Sequence, residues 1–295
     1  MTANVNLSQP ERNYPNLRLH IAVVLFALSG LFGKWLTLTP EWIVLARTLF
    51  ATLALTLYIG YLSPQRFKIN RVDYWRFVIT GVLLSCHWFS FFLAIQLSSV
   101  SFGLLVFASF PLFTAILTPI FNQGQLTLHT LIQSILVIVG VSFLLADITH
   151  YQAGYLALGA GLFSAFSFAV LILMNKSVVK RYHASTMAWA QNLVATMVLL
   201  PILLFFTELP ELNTQNIGLA ILLGVVFTAF AHTLLNSSLA VISAFYASIA
   251  ISLEPVYGVL AAAWLLAEPI SLTMVLGGGL IISISFYQAW LNKHS

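Results

Sequence analysis

The sequence predicts an all-α membrane protein of ten transmembrane helices in two inverted-topology five-helix repeats. Three observations carry this prediction. The first is a shortage of charge: 20 of 295 residues, or 7%, are Asp, Glu, Lys or Arg, where a soluble chain carries roughly 25%. A water-facing exterior needs charge in quantity, and a chain with 60% hydrophobic and 14% aromatic residues is equally unlike a disordered one. The second is ten apolar stretches, each near the length of about 20 residues that crosses the hydrocarbon core. The third is a match of the sequence to itself at an offset of 144 residues.

The stretches fall near 18–36, 42–61, 74–97, 101–121 and 128–146, then 155–175, 186–206, 217–236, 244–267 and 272–291. The links between them are short polar or Pro-marked turns with no room for a soluble domain. An outer-membrane barrel is excluded by period, since its strands alternate apolar and polar residues, whereas 131–145 is almost continuously apolar. The first 17 residues are polar and no small-residue cleavage site follows the first apolar run, so a cleaved signal peptide is not expected.

The charges set the orientation. With the N-terminus inside, ten of the twelve basic residues lie in inner segments: Arg12, Arg18, Arg66, Lys68, Arg71, Arg76, Lys176, Lys180, Arg181 and Lys293. The outer links hold Glu41, Asp147, Glu208, Glu211 and Glu268 and no Lys or Arg. This is a one-sided positive-inside pattern, and both termini are expected in the cytoplasm. The net charge of +4 is gathered on no face that suits nucleic acid. The single Cys86 excludes a disulfide framework and a Cys-based metal site; no metal and no cofactor are expected.

At the offset of 144, Pro111 falls on Pro255 and Ser99 on Ser243, and residues 46–52 share four of seven identities with 190–196. Spans one to five therefore repeat as six to ten. Five is odd, so the second copy enters the membrane from the opposite side, the arrangement of secondary transporters whose halves rock around a midplane site. The expected units are an N-terminal cytoplasmic tail 1–17, a first repeat 18–146, an external linker 147–153, a second repeat 154–291 and a tail 292–295.

Ionisable groups within spans are costly, about 2.5–3.5 kcal/mol each at a helix centre, and three qualify. Glu254 lies about ten residues into its span, roughly 15 Å deep at 1.5 Å per residue. A carboxyl held from water suits a proton carrier or a site for a substrate ammonium; the alternative is a protonated Glu that hydrogen-bonds a neighbouring helix. Arg47 and Lys34 sit below the outer ends of spans two and one, and Arg47 matches Gln191 in the repeat. They form a candidate site for a substrate carboxylate, or else snorkel to the interface beside Glu41. His87 and His232 lie on corresponding spans, one residue out of register; each is a proton relay or a packed, hydrogen-bonded ring. Trp88, Phe91, Phe92, Tyr246 and Tyr257 are candidates for an aromatic cavity lining, and Gln191, Asn192 and Asn236 are uncharged polar groups that line it or bridge helices. Pro111 and Pro255, read as mid-helix, are candidate hinges. Gly277, Gly278 and Gly279, with Gly159 and Gly161, are expected to permit close helix packing.

The second half carries a family resemblance. Gly224-Val225-Val226-Phe227-Thr228, the run ending Leu253-Glu254-Pro255-Val256-Tyr257, Leu265-Leu266-Ala267-Glu268 and the glycines 277–279 together resemble the repeat unit of the drug/metabolite transporter superfamily, EamA type. The first half is similar more loosely, through Pro40, Arg47 and Pro111, and departs where Phe110 stands for Glu254 and Gly124 for Glu268. The resemblance covers about residues 18–290. It implies a ten-helix secondary active transporter of the inner or plasma membrane, with the cavity lined by the first four helices of each half and the fifth packed peripherally. It implies substrates among amino acids, other small metabolites, nucleotide sugars and sugar phosphates; the last would call for more basic groups than the two at hand.

The expected function is that of an exporter, a permease for small polar metabolites such as amino acids, working by alternating access around a central cavity. The expected partners are a small-molecule substrate and the lipid bilayer, and the expected oligomeric state is a monomer or a homodimer. The competing classes are an intramembrane enzyme and a passive channel. His-Glu-x-x-His, Gly-x-Ser-x-Gly and a Walker-type glycine loop are all absent from the sequence, so no enzymatic activity is expected.

Overall fold

The computed structural model describes residues 14–144, 146, 150–211, 213–251 and 253–294. The expected N-terminal tail up to residue 13, with Glu11 and Arg12, and residues 147–149 of the expected linker, with Asp147, lie outside them. So does residue 295, and the side chain of Lys293 is likewise not described.

Every described element is helical. Helix α1 (Pro15–Ser29) opens with a proline in its first turn, where the missing N–H costs nothing, and runs through a turn at Gly30 into the short α2 (Phe32–Trp35). Helix α3 (Pro40–Leu62) starts the same way, with Glu41 in its first turn against the helix dipole. Two 3₁₀ turns (Pro64–Phe67 and Arg71–Asp73) lead into α4 (Tyr74–Leu97). Then come α5 (Val100–Phe107), α6 (Phe110–Leu117) and α7 (Leu128–Leu144). The second half holds α8 (Gly154–Val178), α9 (Ala184–Phe206) and α10 (Thr214–Gly224), which continues through a π-helical segment (Val225–Phe230) into α11 (Ala231–Leu239). It closes with α12 (Ala244–Ile251), α13 (Glu254–Leu265) and α14 (Leu272–His294).

Among the described residues, seven helical stretches are long and apolar enough to cross a membrane: Pro15–Trp35, Pro40–Leu62, Arg71–Leu97, Val100–Leu117, Gly154–Val178, Ala184–Phe206 and Thr214–Leu239. The expected spans five and ten meet shorter apolar stretches, Ile135–Leu144 and Leu272–Ile284, and the expected ninth is divided between α12 and α13. The outer surface is apolar: Tyr61 is 90% exposed, Trp264 84% and Phe205 82%. Patches of that kind, continuous along whole helices, mark a surface made for something other than water. The chain is an integral multi-pass membrane protein.

The core forms where α4 packs along α8, α3 along α9 and α10, and α1 along α11 and α13. Leu19, Val23, Phe92, Ile95, Phe110 and Leu173 are all fully enclosed there. Helices α7 and α14 pack on each other, so closely that a Cβ on Gly277 would lie 2.5 Å from the Gly140 carbonyl oxygen. Gly161 and Gly278 likewise make tight contacts, with Val106 and Leu105. Gly159 and Gly279 do not: among the described residues nothing lies within 4 Å of a Cβ on either, and that expectation is corrected.

The two prolines also stand differently from the expectation. Pro111 and Pro255 are not in helix interiors but in the first turns of α6 and α13, each just after a break. The ladder tightens at both breaks. Ser109 N–H donates to Val106 O at 3.1 Å and Leu112 N–H to Ser109 O at 3.0 Å; 144 residues on, Leu253 N–H donates to Ala250 O at 3.2 Å and Val256 N–H to Leu253 O at 3.0 Å. A first-turn proline needs no hydrogen-bond donor, so the chain divides the helix where a continuous one would have kinked.

Polar contacts tie both ends of the bundle. At one end Asp73 accepts from Arg76, from Arg181 Nη1 at 2.8 Å and from Tyr182 Oη at 2.7 Å. Nearby Thr186 Oγ1 donates to Arg66 O at 2.9 Å, and Ser238 Oγ to Pro15 O at 2.9 Å. At the opposite end of α1, Asn216 Nδ2 donates to Thr37 Oγ1 at 2.8 Å, and Lys34 Nζ to Ser98 O at 3.0 Å. There the Glu268 carboxylate accepts from Val100 N–H at 2.8 Å, Ser101 N–H at 3.0 Å and Ser101 Oγ at 2.9 Å.

Candidate functional site

A small cavity lies inside the bundle. Its lining comes from seven elements: Phe26 and Ser29 of α1, Arg47 of α3, His87, Trp88 and Phe91 of α4, with Phe107 of α5, Phe168 of α8, His232 of α11 and Glu254 of α13. Each half of the chain contributes, and two opposite charges face a mostly aromatic wall.

Arg47 is held on three sides. Its guanidinium carbon lies 3.7 Å from the centre of the Trp88 ring and 5.5 Å from that of Phe92, and Nε donates to Thr228 Oγ1 at 3.1 Å. The residue is 1% exposed, and Nη1 and Nη2 have no hydrogen-bond partner among the described residues. A desolvated cation–π contact contributes about 2 kcal/mol and one charge-assisted hydrogen bond about 1.5–3 kcal/mol. Burying an ion costs several kcal/mol, and two unsatisfied N–H groups add further cost.

Glu254 begins α13, 4% exposed. It makes no ion pair with Arg47 within 4.0 Å among the described residues, although both line the same space. The histidines are packed rings: His87 Nδ1 lies 2.8 Å from Ser164 Oγ and 3.1 Å from Ser164 O. His232 stands edge-on to Trp88, centroids 5.0 Å apart, and to Phe26 at 5.1 Å. No cluster of three or more His, Cys, Asp or Glu able to hold a metal occurs among the described residues.

The structure thus brings together Arg47, His87, Trp88, Phe91, His232 and Glu254 of the residues singled out in the sequence. Gln191, Asn192 and Asn236 are buried beside the cavity rather than in its lining. Gln191 Nε2 donates to Asn175 Oδ1 at 2.5 Å, and Asn175 Nδ2 to Asn236 Oδ1 at 3.3 Å, a polar strip joining α8, α9 and α11. Three placements are corrections. Lys34 lies at the bundle end, bonded to Ser98 O; Tyr246 packs half-buried against the core; Tyr257 is exposed on the outer face. The apolar lining residues Phe26, Phe107 and Phe168 carry no signal among 23 phenylalanines. Thr228 lies inside a segment quoted for the family resemblance, yet nothing in its spacing points to Arg47.

The EamA-like transporter family matches residues 16–146 and again 155–287. The chain belongs to the EamA-like transporter family. A protein of Bacillus subtilis (strain 168) named as the uncharacterized transporter YxxF is 21% identical over 264 residues, covering 86% of this chain and 83% of that protein. A protein of known crystal structure, 13% identical, superposes with a TM-score of 0.73 over 96% of this chain and 99% of its own, which shows a shared fold. The family and the relative's name indicate a transporter rather than an enzyme. The EamA-like chain therefore sits in a bilayer and handles small molecules.

Proposed function

We propose that this EamA-like protein is a secondary active transporter exporting small polar metabolites of the amino acid kind, by alternating access to the cavity around Arg47 and Glu254. One observation carries the reading: a buried guanidinium with two unpartnered nitrogens shares a small cavity with a buried carboxyl. The Nη pair offers the planar fork that matches a carboxylate, and Glu254 offers an acceptor for an ammonium group. Phe26, Phe91, Phe107 and Phe168 surround the remaining space. A zwitterion fits this pattern, since each of its charges meets an opposite one and none is buried alone.

The contacts at the two bundle ends support alternating access. The end bearing Asp73 and Tyr182 also bears Arg66, Arg76 and Arg181, three of the basic residues expected in the cytoplasm, and the opposite end bears Glu268. In this reading each end opens in turn while the other stays tied, with the chain as ten helices in two halves of opposite entry, 18–146 and 154–291. The breaks before Pro111 and Pro255 are the places where matching helices bend. Both termini face the cytoplasm, the membrane is the inner (plasma) membrane, and the working unit is a monomer or a homodimer. Glu254 is the group for proton coupling, if the export is driven by protons.

Purified protein in liposomes, loaded with unlabelled L-amino acids and assayed for counterflow of the labelled ones, tests this reading. Uptake that exceeds empty liposomes and falls in Arg47→Gln supports it. Absence of counterflow for every amino acid removes the substrate class.

A further inference from the structure

The guanidinium of Arg47 is placed by something the first half of the chain does not have. Helix α4 runs as unbroken α-helix from Tyr74 to Leu97. Its counterpart in the second half, α10 with α11, is interrupted by the π-helical segment Val225–Phe230. The contacts on either side locate an extra residue there. Before the segment, equivalent positions are 143 apart. A Cβ on Gly81 would lie 2.9 Å from Gln191 O, and one on Gly224 would lie 3.0 Å from Arg47 O. Asp73 meets Arg181 as Asn216 meets Thr37. After the segment the spacing is 144. Trp88 and His232 meet edge to face, and Ser99 and Ser243 each accept from the N–H three residues on, Phe102 and Tyr246. A π turn accommodates one inserted residue within a helix and occurs often at functional sites.

The insertion does something specific. Within the π turn the Thr228 hydroxyl donates to Leu223 O, five residues back, at 2.8 Å. It thereby presents its oxygen to Arg47 Nε, accepting that bond at 3.1 Å. Thr228 is fully buried. The neighbouring Gly224 lets the helix approach α3 at the Arg47 backbone itself. With Nε engaged by Thr228 and the face covered by Trp88, the two remaining nitrogens are left for the cavity. In the other half, Gln191 occupies the position of Arg47 and bonds instead to Asn175.

We infer that Thr228, set by a one-residue insertion that breaks the repeat, is the positioning residue that aims the Arg47 guanidinium at a substrate carboxylate. This rests on the carboxylate-binding reading of the cavity. The role is orientation through another residue, and Thr228 itself does not line the cavity.

The test has two readouts on Thr228→Val and Thr228→Ser. The first needs no substrate. In protein carrying ¹⁵N-labelled arginine, the Arg47 Nε–H resonance is assigned by its loss in Arg47→Lys, and its exchange with solvent is followed. Wild type and Thr228→Ser are expected to protect it, and Thr228→Val to lose that protection. The second is proteoliposome transport with L-leucine, L-phenylalanine and L-threonine as probes. Thr228→Val is expected to raise KM about tenfold, the loss of one charge-assisted hydrogen bond, with kcat held, while the same compounds as carboxamides compete equally against both proteins. Thr228→Ser is expected to restore the wild-type KM. Thr228→Ala removes the hydroxyl without adding bulk and carries the same test should the valine variant not fold. Protection and KM unchanged in Thr228→Val or Thr228→Ala, with Arg47→Lys impaired, would overturn the positioning role and leave the cavity reading standing. Wild-type transport by Arg47→Lys would overturn the cavity reading instead, and the exchange readout would still decide whether Thr228 orients the guanidinium.

Discussion

Replacing Asp73 by Asn should loosen one end of the bundle. Asp73 is 1% exposed and accepts from Arg181 Nη1, Tyr182 Oη and Arg76, while the two arginines are 28% and 29% exposed. Arg181 and Tyr182 follow α8, whereas Asp73 and Arg76 precede or begin α4, so the cluster ties one half of the chain to the other. Hydrogen bonds to a charged group contribute about 1.5–3 kcal/mol each when buried, and partial exposure of the arginines reduces that toward the surface value. Asn keeps the shape and some of the bonding, so the net loss is about 2 kcal/mol. If the contact exists only while this end is closed, the open population rises roughly thirtyfold. The assay uses the chain's single cysteine to advantage: Cys86→Ser provides a cysteine-free background, and Ser29→Cys places a thiol in the cavity wall. Labelling of that thiol by a membrane-impermeant reagent from the Asp73 side should accelerate by an order of magnitude or more in Asp73→Asn, and labelling from the other side should slow. Equal rates in the presence and absence of the Asp73 carboxylate would refute the idea that this cluster closes the cavity.

Other outcomes follow from particular contacts. Gly224→Ala puts a Cβ 2.5 Å from Phe50 Cβ and 3.0 Å from Arg47 O; overpacking of this kind costs about 1–3 kcal/mol, so thermal unfolding in detergent should shift down and transport fall with it. Glu268→Ala removes the carboxylate that accepts from the first two N–H groups of α5. Loss of such a cap costs about 1 kcal/mol, visible as a lower midpoint, and hydrogen exchange at Val100 and Ser101 should quicken. Tyr257→Phe alters an exposed residue that does not line the cavity and should leave KM for any transported amino acid unchanged; a large rise would place that ring in the pathway after all.

How much of this was legible in the sequence depends on what lipid hides. Charge is legible because hydrocarbon excludes it: Arg47 and Glu254 stand out in apolar runs, and both line the cavity. Helix phase is not. Helices such as α8 and α9 are apolar all round, because core and lipid ask for the same side chains, so no stripe tells an inward Phe168 from an outward Phe205. Tyr257 was misplaced for that reason. The prolines were read as kinks because composition gives position without hydrogen bonding; the chain instead ends one helix and begins another, with each proline in the first turn. Lys34 was grouped with Arg47 by depth along the chain, but its ammonium reaches the Ser98 carbonyl at the bundle end. Thr228 was invisible because its role depends on an inserted residue, and an insertion shows only when two halves are laid side by side in space.

The central claim is that Arg47 and Glu254 receive the two charges of one small zwitterion. Binding of L-leucine, L-phenylalanine and L-threonine, each beside its carboxamide and its des-amino acid, to wild type, Arg47→Gln and Glu254→Gln tests it directly by thermal shift, since a bound ligand stabilises the native state by mass action. The account predicts that Arg47→Gln loses at least tenfold in affinity for the parent amino acid and ceases to distinguish it from the carboxamide. Glu254→Gln should cease to distinguish it from the des-amino acid. Variants that bind the amino acids as wild type does, with both preferences intact, would contradict it.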